Sequence, residues 1–359
     1  MVEGSNSQGR DGTGGAHPPI ILGIDTSCDD TGVGIARGEE VLANVVVPQT
    51  ALHDRFGGVM PELASREHLE VIDEALESAL RAAGLELSAV DAVAATHGPG
   101  LVGALLVGLS YGKSLAWGMG VPFLPVHHLQ GHLAAATGVE PPFLALIASG
   151  GHTALFAVRS WSSVEELGRS RDAAAGEAFD KVARLLGLPY PGGPALSKLA
   201  AEGDDHGVTL PWPMAGSKGL EFSFSGLKTA VALLLERQPN VNRADVAATF
   251  ERIVVGSLME VTRRALEATG LRRLVIAGGV AANRRLREEV AALGAELGVE
   301  TTFPSPALAT DNGAMIALAG RLALRGAAAP DRNDDVEPSK VYDREAALAT
   351  DASPYLPLA

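Results

Sequence analysis

Residues 20–36 read IILGIDTSCDDTGVGIA and residues 143–158 read FLALIASGGHTALFAV. Each is an apolar run, a short polar tip and a second apolar run, which is the pattern of a β-hairpin. Asp25 and Asp30 flank the first tip, and the second turns at Ser149-Gly150-Gly151. A second pair of echoes extends the repeat. DAVAATHGPGLVGALLVG at 91–108 and RLVIAGGVAANRRLREEV at 273–290 are each an apolar strand, a glycine-bearing loop and a helix. Hairpin first and strand–loop–helix afterwards, in both halves, predicts an α/β protein of two duplicated lobes with a cleft between them.

Composition agrees with that reading. The 359 residues exceed the roughly 250–300 at which a single core stops growing. Hydrophobic residues make up 47% against 4% aromatics, so the interior is built from Ala, Val and Leu, with glycines serving tight turns and close backbone approaches. Cys28 is the single cysteine, which excludes an internal disulfide and a cysteine-based zinc knuckle and fits a reducing cytosol. Residues 1–19 are Gly/Ser-rich without the apolar core of a secretory signal and are expected to be a disordered tail. The run LVGALLVGLSYGKSLAWGMG is interrupted by glycines and Lys113, so no membrane span is expected. A net charge of −14 argues against simple non-specific nucleic-acid binding, which phosphate neutralisation drives. An RNA role therefore needs a local basic surface or a partner, and Arg284, Arg285 and Arg287 with Lys218 and Lys228 are the candidate cations.

Glycine tips let backbone N–H groups approach a phosphate, and a helix start adds a favourable dipole. Four such tips in a twofold arrangement point to a nucleotide in the interlobe cleft, although each alone is ordinary turn chemistry. DAAAGEAFDKVARLLGL at 172–188 reads as a helix with Glu177 and Lys181 as an i,i+4 pair and Asp180 beside them, and the prolines and glycines at 191–194 read as a rigid loop. In HHLQGH at 127–132, His128 and His132 are spaced to share one face of a helix and one ion. Leu129 stands where the H-E-x-x-H zinc proteases carry their water-activating glutamate, so peptide hydrolysis loses its main support. Two helix histidines without an ion remain the plain alternative. In ATDNGAMIALAGRLAL, Thr310 or Asp311 stands at a helix start, where it either caps free N–H groups or, for Asp311, adds a metal ligand.

GIDTSCDDTG, GGVMPELASREH, GPGLVGALLVG, HHLQGH, SGGHT, DAAAGEAFDK, YPGGP, FSFSGLK, AGGVAANRRLR and TDNGAMIA resemble, in order and spacing, the bacterial tRNA N6-adenosine threonylcarbamoyltransferases, earlier named O-sialoglycoprotein endopeptidases (glycoproteases). The resemblance covers about residues 20–325. It implies the actin-like ATPase fold: two actin-like (RNase H-like) lobes with an interlobe nucleotide cleft. The expected division is a tail at 1–19, lobe I at 20–133 completed by a return helix at 311–326, lobe II at 140–306, and a poorly packed tail at 327–359. It implies transfer of a threonylcarbamoyl group from threonylcarbamoyl-AMP to N6 of the adenosine at position 37 in tRNAs that read codons beginning with A.

Position by position, the family pattern assigns His128, His132 and Asp311 to one divalent ion, iron(II) ahead of zinc(II). Ile147, Ala148, Ser149, Gly150 and Gly151 match its substrate-binding segment, and Asp180, Gly193 and Asn283 match positions that hold the nucleotide part. No residue identifies itself as a general base. The implied partners are tRNA, an inactive actin-fold paralogue and a small P-loop ATPase, in the cytoplasm. Asp25 and Asp30 depart from the pattern, which has glutamate at both places. A metallopeptidase and an ATP-dependent phosphotransferase of the same fold are the alternatives; Leu129 opposes the first, and the histidine pair, unnecessary for Mg-ATP chemistry, opposes the second.

Overall fold

The structure, a computed structural model, describes residues 17–56, 58–327 and 344–358. Nearly all of the tail expected at 1–19, and residues 328–343 of the one expected at 327–359, lie outside the described residues. The first half runs β1 (Ile20–Asp25), β2 (Asp30–Arg37), β3 (Glu40–Pro48), α1 (Thr50–Asp54), α2 (Pro61–Ala83), β4 (Ala92–Gly98), α3 (Val102–Met119), β5 (Phe123–His127) and α4 (His128–Ala134). The second runs β6 (Phe143–Ala148), β7 (Thr153–Ser160), β8 (Ser163–Arg169), α5 (Ala175–Leu185), α6 (Gly192–Ala200), α7 (Ser225–Arg237), α8 (Arg243–Thr269), β9 (Arg273–Ala277), α9 (Arg284–Leu297) and β10 (Glu300–Thr302). Two helices follow, α10 (Gly313–Ala327) and α11 (Arg344–Ala349).

The strands form two five-stranded sheets among the described residues, ordered β3-β2-β1-β4-β5 and β8-β7-β6-β9-β10. In each, three antiparallel strands are followed by two added in parallel. The expected hairpins are β1–β2, with Asp25 opposite Gly32, and β6–β7, with Ala148 opposite Thr153. Identical strand order in both halves is the duplication that the paired motifs predicted. The central strands β1, β4 and β6 are buried on both faces, which is why their sequences are continuous apolar runs without alternation.

Helices cover the sheets along 3–4-residue stripes. Helix α2 starts with Pro61 at its first position, buries Ala64, His68, Ile72, Ala75, Leu76 and Ala79, and stops at Gly84, which takes a left-handed conformation. Helix α8 runs through the core of the second half, burying Phe250, Val254, Val255 and Leu258. No helix of the described residues is long and apolar enough to cross a membrane.

Helices α4 and α10 position the site. Helix α10 lies on the first sheet against β1 and β2 and also packs on α4. Helix α4 sits between the halves: Ala134 and Ala135 join the cluster of α10 and the first sheet, while Leu129 and Leu133 pack with Phe143, Ile147 and Phe156 of the second.

One expectation is corrected. Residues 344–358 do not form a poorly packed tail: Ala347 is buried against the α2–α3 side of the first sheet, Leu358 is buried among residues of α4 and the second sheet, and backbone bonds tie Ser353 and Pro354 to His97 and Gly100. Spaced small and apolar anchors, with no periodic stripe, make such a segment look like a tail in sequence.

Candidate metal centre

Helix α4 begins where β5 ends. His127 precedes it, and the His127 Nδ1 atom accepts the N–H of Leu129 at 3.1 Å, capping the helix and fixing its first turn. His128 and His132 follow on one face, their rings edge to face with centroids 4.8 Å apart. Asp311 comes from the turn before α10. Neither it nor Thr310 is the helix cap that the sequence suggested: Asn312 is, its Oδ1 accepting Met315 N–H at 2.9 Å while Asn44 Oδ1 accepts Ala314 N–H at 3.3 Å. Those two asparagines satisfy the helix end and leave the Asp311 carboxylate unspent.

That carboxylate meets the histidine pair. Asp311 Oδ1 lies 3.2 Å from His132 Nε2 and 3.5 Å from His128 Nε2. One ion at about 2.0–2.2 Å from each of three such donors places them about 3.0–3.5 Å from one another; both Asp311 distances match, and all three ligand atoms lie within 4.8 Å of one another. His132 is fully buried; its Nδ1 has no hydrogen-bond partner and its Nε2 meets only the Asp311 carboxylate. An imidazole left in that state costs free energy unless something else engages it. The residues present therefore fit a metal ion, and these three make up the described group able to hold one. Nothing in the donor set distinguishes iron from zinc.

Behind His128 stands a carboxylate whose purpose the sequence did not reveal. Asp25 is 1% exposed, its Oδ1 accepts from Thr96 Oγ1 and Ser27 N–H, and its Oδ2 lies 3.3 Å from His128 Nδ1, with Ser27 Oγ at 3.1 Å from the same nitrogen. A metal-binding histidine commonly hands its second ring N–H to such a carboxylate, which fixes the tautomer and raises its basicity. Burial opposes charge on His128, but Asp25 and Asp311 outweigh it and hold this imidazole up at about 9. Asp311 moves the other way: burial disfavours its charge, yet the two imidazoles keep its carboxyl well below the usual range. Asp30, the second departure from the family pattern, is pushed up to about 7 by burial and by its neighbours Asp29, Asp311 and Asp25.

The turn between β6 and β7 stands beside the histidine pair. Ser149 N–H donates to His152 O at 2.8 Å and its Oγ accepts His152 N–H at 3.1 Å, so Gly150 and Gly151 stand at the tip, where a Cβ added to either would meet nothing within 4 Å. Ile147 and Ala148 are interior β6 residues, fully buried, which hold the turn and offer no exposed side chain. His152, which sequence reading passed over, lies 6.1 Å from His128 ring to ring. Burial and the neighbouring histidines push it down to about 3, so it is neutral. Its only sequence signal was its place in SGGHT.

Asp180, Gly193 and Asn283 follow along one rim. Gly176 N–H donates to Ser149 O, which joins the turn to α5. Asp180 Oδ1, one turn further on, accepts the N–H of Gly192 at 2.8 Å and of Gly193 at 3.3 Å. The expected rigid loop at 191–194 is thus the start of α6, capped from a distance by Asp180. Asn283 reaches the same helix: its Nδ2 donates to Ser197 Oγ and Glu251 Oε1, and its Oδ1 caps α9 at Leu286 N–H. A polar cavity of about 540 Å³ opens there, lined by Ser197, Asp205, Glu251, Arg284 and Arg285. Two of the three arginines are held by the protein itself, and Arg284 is exposed. Arg284 pairs with Glu288, Arg285 with Asp205 and Glu289, and Arg287 donates to Ala281 O and lies over Phe303.

Comparison with known proteins bears on the family and the fold. The family profile described as TsaD, tRNA N6-adenosine threonylcarbamoyltransferase, matches residues 40–318. The tRNA N6-adenosine threonylcarbamoyltransferase of one Thermus thermophilus strain is 52% identical over 301 residues, 83% of this chain and 91% of the relative. That of Symbiobacterium thermophilum is 52% identical over 310 residues, 84% and 90% of the two chains. Among solved structures, HypF of T. kodakarensis superposes with a TM-score of 0.57 at 16% identity, over 86% of this chain and 48% of that one. Component A of the Acidaminococcus fermentans (R)-2-hydroxyglutaryl-CoA dehydratase gives 0.52 at 19%, over 85% and 97%. These last two speak for the actin-like ATPase fold alone. By its profile match and its relatives, the chain belongs to the tRNA N6-adenosine threonylcarbamoyltransferase family.

Proposed function

We propose that the chain takes the threonylcarbamoyl group from threonylcarbamoyl-AMP and places it on N6 of adenosine 37 in tRNAs reading codons that begin with A. The observation that carries the reading is the convergence of His128, His132 and Asp311 beside an open glycine turn, in a member of this family. The adenine amine attacks the carbamoyl carbon, the bond from that carbon to the phosphate oxygen breaks, AMP leaves, and the amine loses one proton. The donor is already activated as a mixed anhydride, so alignment and charge stabilisation are the protein's main tasks. His128, His132 and Asp311 would hold a divalent ion, iron(II) ahead of zinc(II) by family resemblance alone, which would supply a positive Lewis-acid centre there. The open turn that Ser149 closes offers the backbone N–H groups of Gly150 and Gly151 to the phosphate, Ile147 and Ala148 hold it rigid, and Asp180, Gly193 and Asn283 serve the nucleotide part. No general base is assigned. Incubation with threonylcarbamoyl-AMP and unmodified tRNA, followed by nucleoside mass analysis, tests the reading: modified adenosine supports it, and histidine-dependent peptide cleavage in its place defeats it.

Asp180 has one oxygen tied to the α6 backbone, which leaves the other for a ribose hydroxyl. A charge-assisted hydrogen bond contributes about 1.5–3 kcal/mol, so Asp180→Ala is expected to weaken AMP binding by about one to two orders of magnitude with the metal retained. Calorimetry that returns an unchanged AMP affinity rejects this role.

The partners are those the family resemblance implies, and the charge of the chain leaves room for them. At −14 net and with Arg285 held by Asp205 and Glu289, the isolated chain offers tRNA few clustered cations, and the paralogue and the P-loop ATPase supply RNA surface and drive turnover in the cytoplasm. The chain alone is expected to bind tRNA weakly and to lose about tenfold or more in affinity between about 50 and 200 mM salt. Multiple turnover awaits both partners. Tight, salt-resistant binding by the lone chain contradicts this.

A further inference from the structure

The segment 350–358 takes no part in the proposed reaction, yet it lies against the base of α4. Thr350 O accepts from Lys113 Nζ, Ser353 N–H donates to His97 O at 2.8 Å, and Pro354 O accepts Gly100 N–H at 3.3 Å. The crossing is backbone on backbone at Gly98, where an added Cβ would stand 2.1 Å from Ser353 O. Two contacts then reach α4 itself. Leu356 O accepts from His127 Nε2 at 3.0 Å, and Leu358, 6% exposed, is buried with Leu129 and Leu133 of α4 and with Phe143 and Phe156 of the second sheet. Tyr355 between them is 92% exposed, so the hold is made at chosen points.

The bond to Leu356 fixes more than a contact. Giving the Nε2 proton to a carbonyl leaves the lone pair of His127 on Nδ1, and Nδ1 is the atom that accepts Leu129 N–H at the start of α4. Helix α4 spans seven residues, too few to be stable from its own hydrogen bonds, so its position depends on what grips it. Gripping it at the first turn through His127, and along Leu129 and Leu133 through Leu358, bears on His128 and His132 directly.

We infer that residues 350–358 are a strap that sets the position of α4, and that His127 is the positioning residue through which the strap holds His128 and His132 at ligand spacing. The ligand half of this rests on the metal reading above; the hold on α4 does not. The strap also joins the two sheets at the point where the ligands meet, since its anchors run from the loop after β4 to the cluster of the second sheet.

The test uses the full chain, Leu358→Ser, His127→Phe and a chain ending at Thr350. Hydrogen exchange of the amides of Leu129, Gly131, His132 and Leu133 is measured on metal-free protein, with far-UV circular dichroism as the folding control. Zinc(II) affinity is measured separately by chelator competition. All three variants are expected to exchange these amides about tenfold faster or more. They are expected to bind zinc about 10–100-fold more weakly, the usual cost of losing outer support for metal ligands. His127→Phe keeps the strap's backbone in place, so its loss of protection identifies His127 as the link. Exchange in Leu358→Ser and His127→Phe equal to that of the full chain overturns the strap, even if the shortened chain fails to fold. Failure of the full chain to take up zinc or iron overturns the metal reading, and the exchange result still decides the hold on α4.

Discussion

His132→Ala is expected to strip the metal and end tRNA modification while the chain stays folded. With one of three ligands gone, metal affinity should fall on the order of a thousandfold, about 4 kcal/mol, and nucleoside analysis should show modified adenosine reduced by a similar factor. The fold should survive for a specific reason. His132 is fully buried, its Nδ1 has no hydrogen-bond partner and its Nε2 meets only Asp311, so removing the ring relieves a desolvation cost while opening a cavity. The two offset each other to within about 1–2 kcal/mol. Metal content by atomic emission, thermal unfolding and the tRNA assay check the three parts together. Full metal content with ordinary turnover sinks the assignment of His132. A melting temperature lowered by many degrees sinks the account of its burial, and His132→Asn then carries the metal test.

How far the site was legible depended on whether its cause was local. The β1–β2 and β6–β7 hairpins showed in the sequence because apolar runs and polar tips are short-range patterns, and the histidine pair showed because i and i+4 share a helix face. Strands β3 and β8 gave weaker signals: both are half-exposed outer strands, and SVEELGR carries three charged residues in seven. The start of α6 was read as a loop because its cap is Asp180, twelve residues before Gly192, and no local Ser, Asp or Asn marks it. Asp25 behind His128, His152 beside it and the strap across His127 have no sequence signature at all, since each depends on how separate segments pack. Asp311 came from family resemblance; its own context offered capping as an equal reading until Asn312 was seen to cap α10. The arginine trio was legible as charge, but the pairing of Arg285 with Asp205, eighty residues away, was not.

Gly34→Ala is expected to cost on the order of 3 kcal/mol or more, and to weaken metal binding from a position that touches no ligand. Helix α10 crosses the β1–β2 hairpin at backbone distance: an added Cβ on Gly34 would stand 2.1 Å from Ala314 N and 2.6 Å from Gly313 C. Neither atom belongs to a side chain that can turn away. Strand β2 cannot yield either, because Gly34 pairs with Gly23 on one side and Asn44 on the other. The helix must therefore lift by more than an atom's overlap, loosening buried Ala314, Ile316 and Ala317, and forced overpacking of this kind is among the costlier single changes. Asp311 lies two residues before α10, so a lifted helix draws its carboxylate away from His128 and His132. Gly118→Ala is the matched control: that glycine is exposed in α3 with nothing within 4 Å of its added Cβ, and the change should raise stability by about 0.5–1 kcal/mol. Urea unfolding and zinc(II) affinity measured on both variants decide the matter. A Gly34→Ala chain equal to the parent in both would mean that α10 does not rest on the hairpin backbone, and the hairpin would then have no part in holding Asp311 at the metal.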